Sequence, residues 1–515
     1  MLFNTYAFIF LFLPLSLVGF FQLAKLSHAW AAGWLAAASL LFYGWWNPVY
    51  VGLLMASILG NYSFGWWIAK AQDQRRRHRL LTLAIALDLL LLAYFKYANF
   101  FLQSLGEVAG THLGLQEIVL PLGISFFTFT QIAFLVDTYQ GKVKEFNFVH
   151  YTLFVTYFPH LIAGPVLHHK EMMPQFSHAA TYRFSYKNLA VGLSIFTIGL
   201  FKKVLLADNI AFYVPLAFDA PAAGVQLTFV EAWGGALCYA LQLYFDFSGY
   251  SDMAIGISRM FGVVLPLNFH SPYKAVNIIE FWRRWHMTLS RFLRDYLYFP
   301  LGGNRKGKAR RYVNLAATML LGGLWHGAGW NFVIWGGLHG IYLSINHGWH
   351  ALRRTFGQDP AVALSRPMHL LSGLITFLAV TIAWVFFRAS DLHTAVAILE
   401  SMLGFHGITI PDNWFTHIPA LYAWLDARHA FAPGNGLATG GMINWIWILL
   451  LIVWLGPNTQ TIMQNFRPAL DAPHLAARTL LLWRPNFLAA LFIWGLLFVA
   501  LINLSQQSTF LYFQF

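Results

Sequence analysis

Again and again this chain runs for about twenty residues with almost no charge, the length a helix needs to cross the roughly 30 Å of a bilayer's hydrocarbon core. No other feature constrains the fold so tightly. Of 515 residues, 58% are hydrophobic and only 10% charged, against about a quarter charged in soluble domains. The expected fold is an all-α polytopic integral membrane protein.

Hydropathy and breaker residues place thirteen candidate spans at about 2–24, 29–46, 49–69, 80–101, 117–137, 148–167, 186–206, 228–250, 312–328, 329–347, 370–388, 440–456 and 487–505. Two carry breakers, "LPLGISFFTF" and "FPHLIAGPV", and read as re-entrant, since irregular backbone at membrane depth must line a cavity or be buried in protein. The first apolar run lacks a basic leader and reads as a retained helix. The basic loop "KAQDQRRRHR" (70–79) marks the cytoplasmic side. Counting back puts the N-terminus outside, and counting forward puts Lys142, Lys144, Lys202 and Lys203 inside. The count loses its footing between 207 and 310. Residues 405–439, rich in Gly and Pro, read as a long connection. No repeat or linker divides the chain, so 1–515 reads as one integral-membrane domain.

The formal net charge is +13. In a membrane protein such charge reports basic cytoplasmic loops and contact with anionic lipid. No nucleic-acid signature accompanies it. Cys238 is the single cysteine, so neither a disulfide framework nor a Cys-rich metal site is available.

Polar residues within membrane segments are costly and mark functional sites by default, and here they concentrate between 242 and 340. "LQLYFDFSGYSDMAIG" carries Gln242, Asp246, Ser248, Tyr250, Ser251 and Asp252 on an apolar helix. They either pair inside the bundle or line a hydrated substrate path. "NIIEFWRRWHMTLSRFLRDYLYFPLGGNRKGKARR" follows. At about 100° per residue, its helical wheel gathers Arg283, Arg284, Arg291 and Arg294 on one side. Trp282, Trp285 and Phe292 fall on the other, with His286 at the edge of the aromatic face. An interfacial helix has this pattern, but membrane adhesion alone does not require His286. The basic loop after it, with Arg305 and Lys306, suits lipid phosphates or those of a nucleotide-containing donor.

"GGLWHGAGWNFVIWGGLHG" (322–340) places His326 beside Gly323, Trp325 and Gly327, glycines that leave room for a ligand. His339 reads as a structural buried histidine. The spacing of the two excludes an i, i+4 metal pair, and no further ligand set is apparent, so no metal is expected.

"YFDFSGYSDMAIG", "EFWRRWHMTLSRFLRDYLYFPLGGNRKGKARR", "MLLGGLWHGAGWNFVIWGGLHG", "YFKYANFF" and "WVFFRA" together resemble the signature segments of membrane-bound O-acyltransferases, nearest to the bacterial branch that acylates exported polysaccharide. The likeness runs from the first span past residue 390, with a core at about 111–390 between N-terminal helices (1–110) and C-terminal helices (391–515). The resemblance implies a ring of tilted and re-entrant helices around a central tunnel in the bacterial inner membrane. It maps the family's invariant histidine onto His326 and a second polar position onto His286. It implies acetyl-CoA as a donor rather than a bound cofactor, with its phosphates near Arg283, Arg284, Arg291, Arg294, Arg305 and Lys306 and with Trp282 and Trp285 in the donor site. Gln242, Asp246, Ser248, Tyr250, Asp252, Gly323, Trp325 and Gly327 would line the tunnel. The implied partners are membrane lipid, a polysaccharide acceptor and an extracytoplasmic Ser/His/Asp-type acyltransferase or carrier. A transporter or flippase is the rival from another class, although no inverted repeat is visible.

Overall fold

The computed structural model describes residues 1–111, 114, 117–162, 164–357, 365–409, 436–437, 439–470, 481–504 and 511. Among these the regular structure is helical, without a strand. The chain forms two compact units. One comprises Met1–Phe201, Gly249–Asn268 and Thr459–Gln514, and the other Lys202–Ser248 with Phe269–Asn458. Most of the long connection expected at 405–439 lies outside the described residues.

Four described helices are long and apolar enough to cross a membrane: Val49–Lys70, Gln74–Ala109, Tyr186–Ala223 and Arg366–Arg388. Shorter apolar helices occupy Phe8–Ala24, Leu392–Met402, Gly440–Leu455 and Phe487–Ile502. The expected spans fare unequally because breakers cut some of them. The span at 117–137 is helical only from Ile124, after Pro121 and the left-handed Gly123. The span at 148–167 stops at Thr156, resumes for Phe158–Leu161 and then leaves the helix, with residues 151–162 buried. The span expected at 228–250 instead continues as one helix, Phe229–Met260.

In the first unit, interhelical hydrogen bonds absorb polar side chains that lipid would penalise. Asn61 donates to Asp88 at 2.8 Å, joining Val49–Lys70 to Gln74–Ala109. Gln131 donates to Ser57 at 2.8 Å and accepts from Tyr151 at 3.2 Å. Asp73 caps the helix starting at Gln74 by accepting the Arg75 and Arg76 amides, so the basic segment is a helix start and not an unstructured loop. Backbones approach closely where a Cβ on Gly192 would lie 2.5 Å from the Gly256 carbonyl oxygen, as small residues in membrane helices permit.

In the second unit, helix Gly307–His326 packs along helix Trp330–Thr355. A Cβ on Gly323 would sit 2.2 Å from the Phe332 carbonyl oxygen, and one on Gly336 2.3 Å from that of Met319. Helix Arg366–Arg388 exposes Leu370, Leu371, Leu374 and Ile375 and buries Phe377, Val380 and Trp384. A stripe of exposed leucine and isoleucine beside a buried aromatic face suits a helix with lipid on one side and protein on the other.

Candidate active site

The second unit brings His286 and His326 together. His326 is the last residue of helix Gly307–His326, where the extended backbone of Gly327 ends the helix. His286 is not on the continuous amphipathic helix expected ahead of the basic loop. That segment is a short helix Ile278–Trp282, a turn, a second helix Met287–Leu293 and a π-turn Arg294–Tyr298. The helical wheel therefore fails beyond Trp282. The break falls at His286 itself, whose φ of 41° is left-handed. Few non-glycine residues adopt that conformation, and such outliers gather at functional sites.

The two imidazole centroids lie 6.4 Å apart, with His286 1% and His326 8% exposed. Trp325 touches both rings, at 6.3 Å from His286 and 4.8 Å from His326. Phe247 packs edge-on to His286 at 4.9 Å. Trp335 and Phe387 flank His326 at 5.1 and 5.2 Å. The result is a largely apolar, aromatic pocket around two ring nitrogen systems. His286 lies outside the candidate spans, and burial lowers its pKa from the ordinary value to about 3, so its imidazole is neutral at physiological pH. A neutral imidazole can donate from one nitrogen while accepting at the other. Two imidazoles in edge contact can act on one reacting centre, one taking a proton from a hydroxyl and the other polarising a carbonyl.

His339 lies behind this pair, fully buried among Trp335, Trp282 and Phe281 at 4.8, 5.1 and 6.1 Å. Asn331 donates to the Ala389 carbonyl at 2.9 Å, tying the start of helix Trp330–Thr355 to the end of helix Arg366–Arg388. Sequence reasoning did not single out Trp335, Phe387 or Asn331 as site residues. The spacing Trp335 to His339, one helical turn, was the legible signal for the first.

The remaining expected residues divide between the two units. Lys203 is buried between Asp208 at 2.7 Å and Asp246 at 2.6 Å. Gln242 and Ser248 share the helix with Asp246, and the Ser248 hydroxyl is buried without a hydrogen-bond partner among the described residues. Tyr250 and Asp252 belong to the first unit, where Tyr250 stacks on Phe3 at 4.6 Å and Asp252 accepts from Thr459 and Gln460 at 2.6 and 3.0 Å. Asp246 and Asp252 thus have paired roles inside the protein. The open space expected beside Gly323 and Gly327 is filled: a Cβ on Gly327 would strike the Phe332 ring at 2.1 Å. These glycines serve helix contact.

Of the basic residues, Arg284 pairs with Glu280, and Arg294 holds Asp295 at 2.7 Å. Arg283, Arg305 and Lys306 are exposed, and Arg291 is half-buried. Trp285 is buried against Trp384 at 5.0 Å. Trp282 covers His339. Among the described residues, no group of three or more His, Cys, Asp or Glu side chains is arranged to hold a metal ion.

A helical membrane fold with a buried histidine pair among aromatic side chains can support proton transfer at a hydroxyl. The model of the MBOAT, membrane-bound O-acyltransferase family, matches residues 74–387, a stretch that contains both histidines, and the chain belongs to that family. It is 45% identical over 438 residues to a peptidoglycan O-acetyltransferase of Helicobacter pylori, covering 80% of this chain and 81% of that one. To a probable alginate O-acetylase of Pseudomonas aeruginosa it is 43% identical over 414 residues, covering 79% and 75%. A teichoic acid D-alanyltransferase of Streptococcus thermophilus is 28% identical over 296 residues, covering 55% and 71%. The chain is an O-acyltransferase.

Proposed function

We propose that the enzyme moves an acetyl group from a cytoplasmic thioester, acetyl-CoA, toward the hydroxyl of an exported polysaccharide such as alginate or peptidoglycan. The observation that carries this reading is the juxtaposition of His286 and His326 in one buried aromatic pocket. The acetylating relatives support the choice of acyl group.

In this mechanism a nitrogen of His326 accepts the proton of the acceptor hydroxyl as its oxygen attacks the thioester carbonyl carbon. The C–S bond breaks, and the thiolate leaves with the proton returned from the imidazolium. His286, neutral, donates N–H to the carbonyl oxygen as negative charge develops there. The aromatic walls keep water from competing as the acyl acceptor. Exposed Arg283, Arg305 and Lys306 draw the donor's phosphates by long-range attraction. The immediate acceptor is either the glycan or a hydroxyl on an extracytoplasmic Ser/His/Asp-type partner, in a bacterial inner membrane.

General-base assistance contributes about 10²–10⁴-fold. His326→Ala should therefore lower thiol release from acetyl-CoA by at least about a hundredfold in proteoliposomes, at unchanged protein level. Near-normal turnover in that variant would remove His326 from the mechanism. Absence of thiol release by the wild-type protein would favour a transporter.

A further inference from the structure

In the first unit is a cavity of about 440 Å³ lined by Lys187, Arg259, Val264, Asn465, Phe466, Arg467, Ala469 and Leu470. Three of these side chains are cationic, and among the described residues no carboxylate lines the space. Arg259 is the least exposed of the three. Its Nε is buried and has no hydrogen-bond partner among the described residues. A desolvated guanidinium donor without an acceptor is costly, and an anionic ligand relieves that cost.

The pocket is built rather than accidental. Gln175 clamps the Val264 backbone from both sides, accepting its N–H at 2.8 Å and donating to its carbonyl at 2.9 Å. The Leu470 amide donates to the Leu265 carbonyl at 3.0 Å, joining two chain segments of the pocket wall. Arg467 follows a short 3-10 turn, Gln464–Phe466, and is left-handed at φ 46°, uncommon for a side chain of this size. Lys187 lies over the Phe466 ring at 5.5 Å, a cation–π contact that keeps its ammonium at the pocket.

The remaining walls are the apolar Val264, Phe466, Ala469 and Leu470 with the single amide of Asn465. Three cations above a mainly apolar wall match a phosphate attached to hydrocarbon. Lys187 lies in the first turn of helix Tyr186–Phe201 and Arg259 in the last turn of helix Phe229–Met260, so both charges sit at helix ends.

We propose that this pocket is a specific site for the phosphodiester headgroup of an anionic membrane phospholipid. It needs neither the donor nor the acceptor assigned above.

The test uses the full chain purified in detergent and transferred to nanodiscs of phosphatidylcholine containing a minor fraction of phosphatidylglycerol. Lipids remaining on the released protein are counted by native mass spectrometry. The wild type should retain one phosphatidylglycerol in preference to phosphatidylcholine. Arg259→Gln with Arg467→Gln should lower that preference about tenfold, while Arg76→Gln, an exposed cation elsewhere on the unit, should leave it unchanged. Arg467→Gln alone, at an exposed position, should give a partial loss without disturbing the fold. Equal retention by wild type and the double variant overturns the proposal. So does displacement of the lipid by adenosine 3′,5′-bisphosphate at micromolar concentration, which would make the pocket a nucleotide-phosphate site instead.

Discussion

His286 combines a left-handed backbone, near-complete burial and an imidazole 6.4 Å from that of His326. Asn tolerates that backbone better than most residues and keeps one donor. His286→Asn should therefore fold and retain weakened transfer, with kcat falling more than KM. His286→Val, β-branched at a positive φ, should be destabilised as well as inactive. The pH dependence has a defined sign. The folded pKa of about 3 is below the unfolded value near 6.5, so the unfolded chain binds the extra proton. The stabilisation is whole above pH ~6.5 and is lost as pH falls toward 3. Between pH 5 and 8 His286 does not titrate in the folded protein, so kcat/KM profiles of wild type and His286→Asn should share one shape. A shifted acid limb in the variant would contradict this. Lys203 makes a separate residue-scale case. Removing one partner of a buried ion pair costs about 3–5 kcal/mol, and Lys203→Met leaves Asp208 and Asp246 facing each other. Thermal unfolding in detergent should show the loss, and adding Asp246→Asn should recover part of it.

The helix pair Gly307–His326 and Trp330–Thr355 is what aims His326. Because a Cβ on Gly323 would lie 2.2 Å from a backbone oxygen, Gly323→Ala must push the helices apart. Overpacking of this kind costs about 1–3 kcal/mol, so this variant should unfold at lower temperature and lose transfer in parallel. Gly337→Ala, whose Cβ meets only the Leu320 side chain at 3.4 Å, should do neither. The same elements separate what the sequence disclosed from what it withheld. Both helices, and the break between them at Gly327–Gly329, were legible because apolar runs and glycine punctuation are local signals. The kink at His286 was not. "EFWRRWHMTLSRFLRDY" has an unbroken amphipathic period, and the turn is imposed by tertiary contacts such as the His270 amide donating to the Arg284 carbonyl at 2.9 Å. The buried pairing of Lys203 was not legible for the converse reason: its partner carboxylate lies 43 positions on, beyond any local signal. The histidine pair itself was legible through family resemblance, since neither residue's spacing to the other carries a period.

At the scale of the whole molecule, composition alone dictated a helical membrane protein, but the direction of the chain decides whether the proposed chemistry is possible. In the proposed reaction the donor is cytoplasmic and the acceptor exported, which requires the exposed Arg283, Arg305 and Lys306 to face the cytoplasm. The positive-inside rule requires the same of the Arg75–Arg77 cluster and puts the turn at Trp46 outside. Cys238 is the only cysteine and is buried, so Cys238→Ala gives a background for single-cysteine reporters at little structural cost. In right-side-out membrane vesicles, a membrane-impermeant maleimide should label Trp46→Cys directly and Arg76→Cys only after permeabilisation. Arg305→Cys should follow Arg76→Cys. If Arg305→Cys labels from outside while Arg76→Cys does not, the basic loop lies on the acceptor side and cannot gather a cytoplasmic thioester. Donor entry would then have to be sought elsewhere on the chain, even with the two histidines in place.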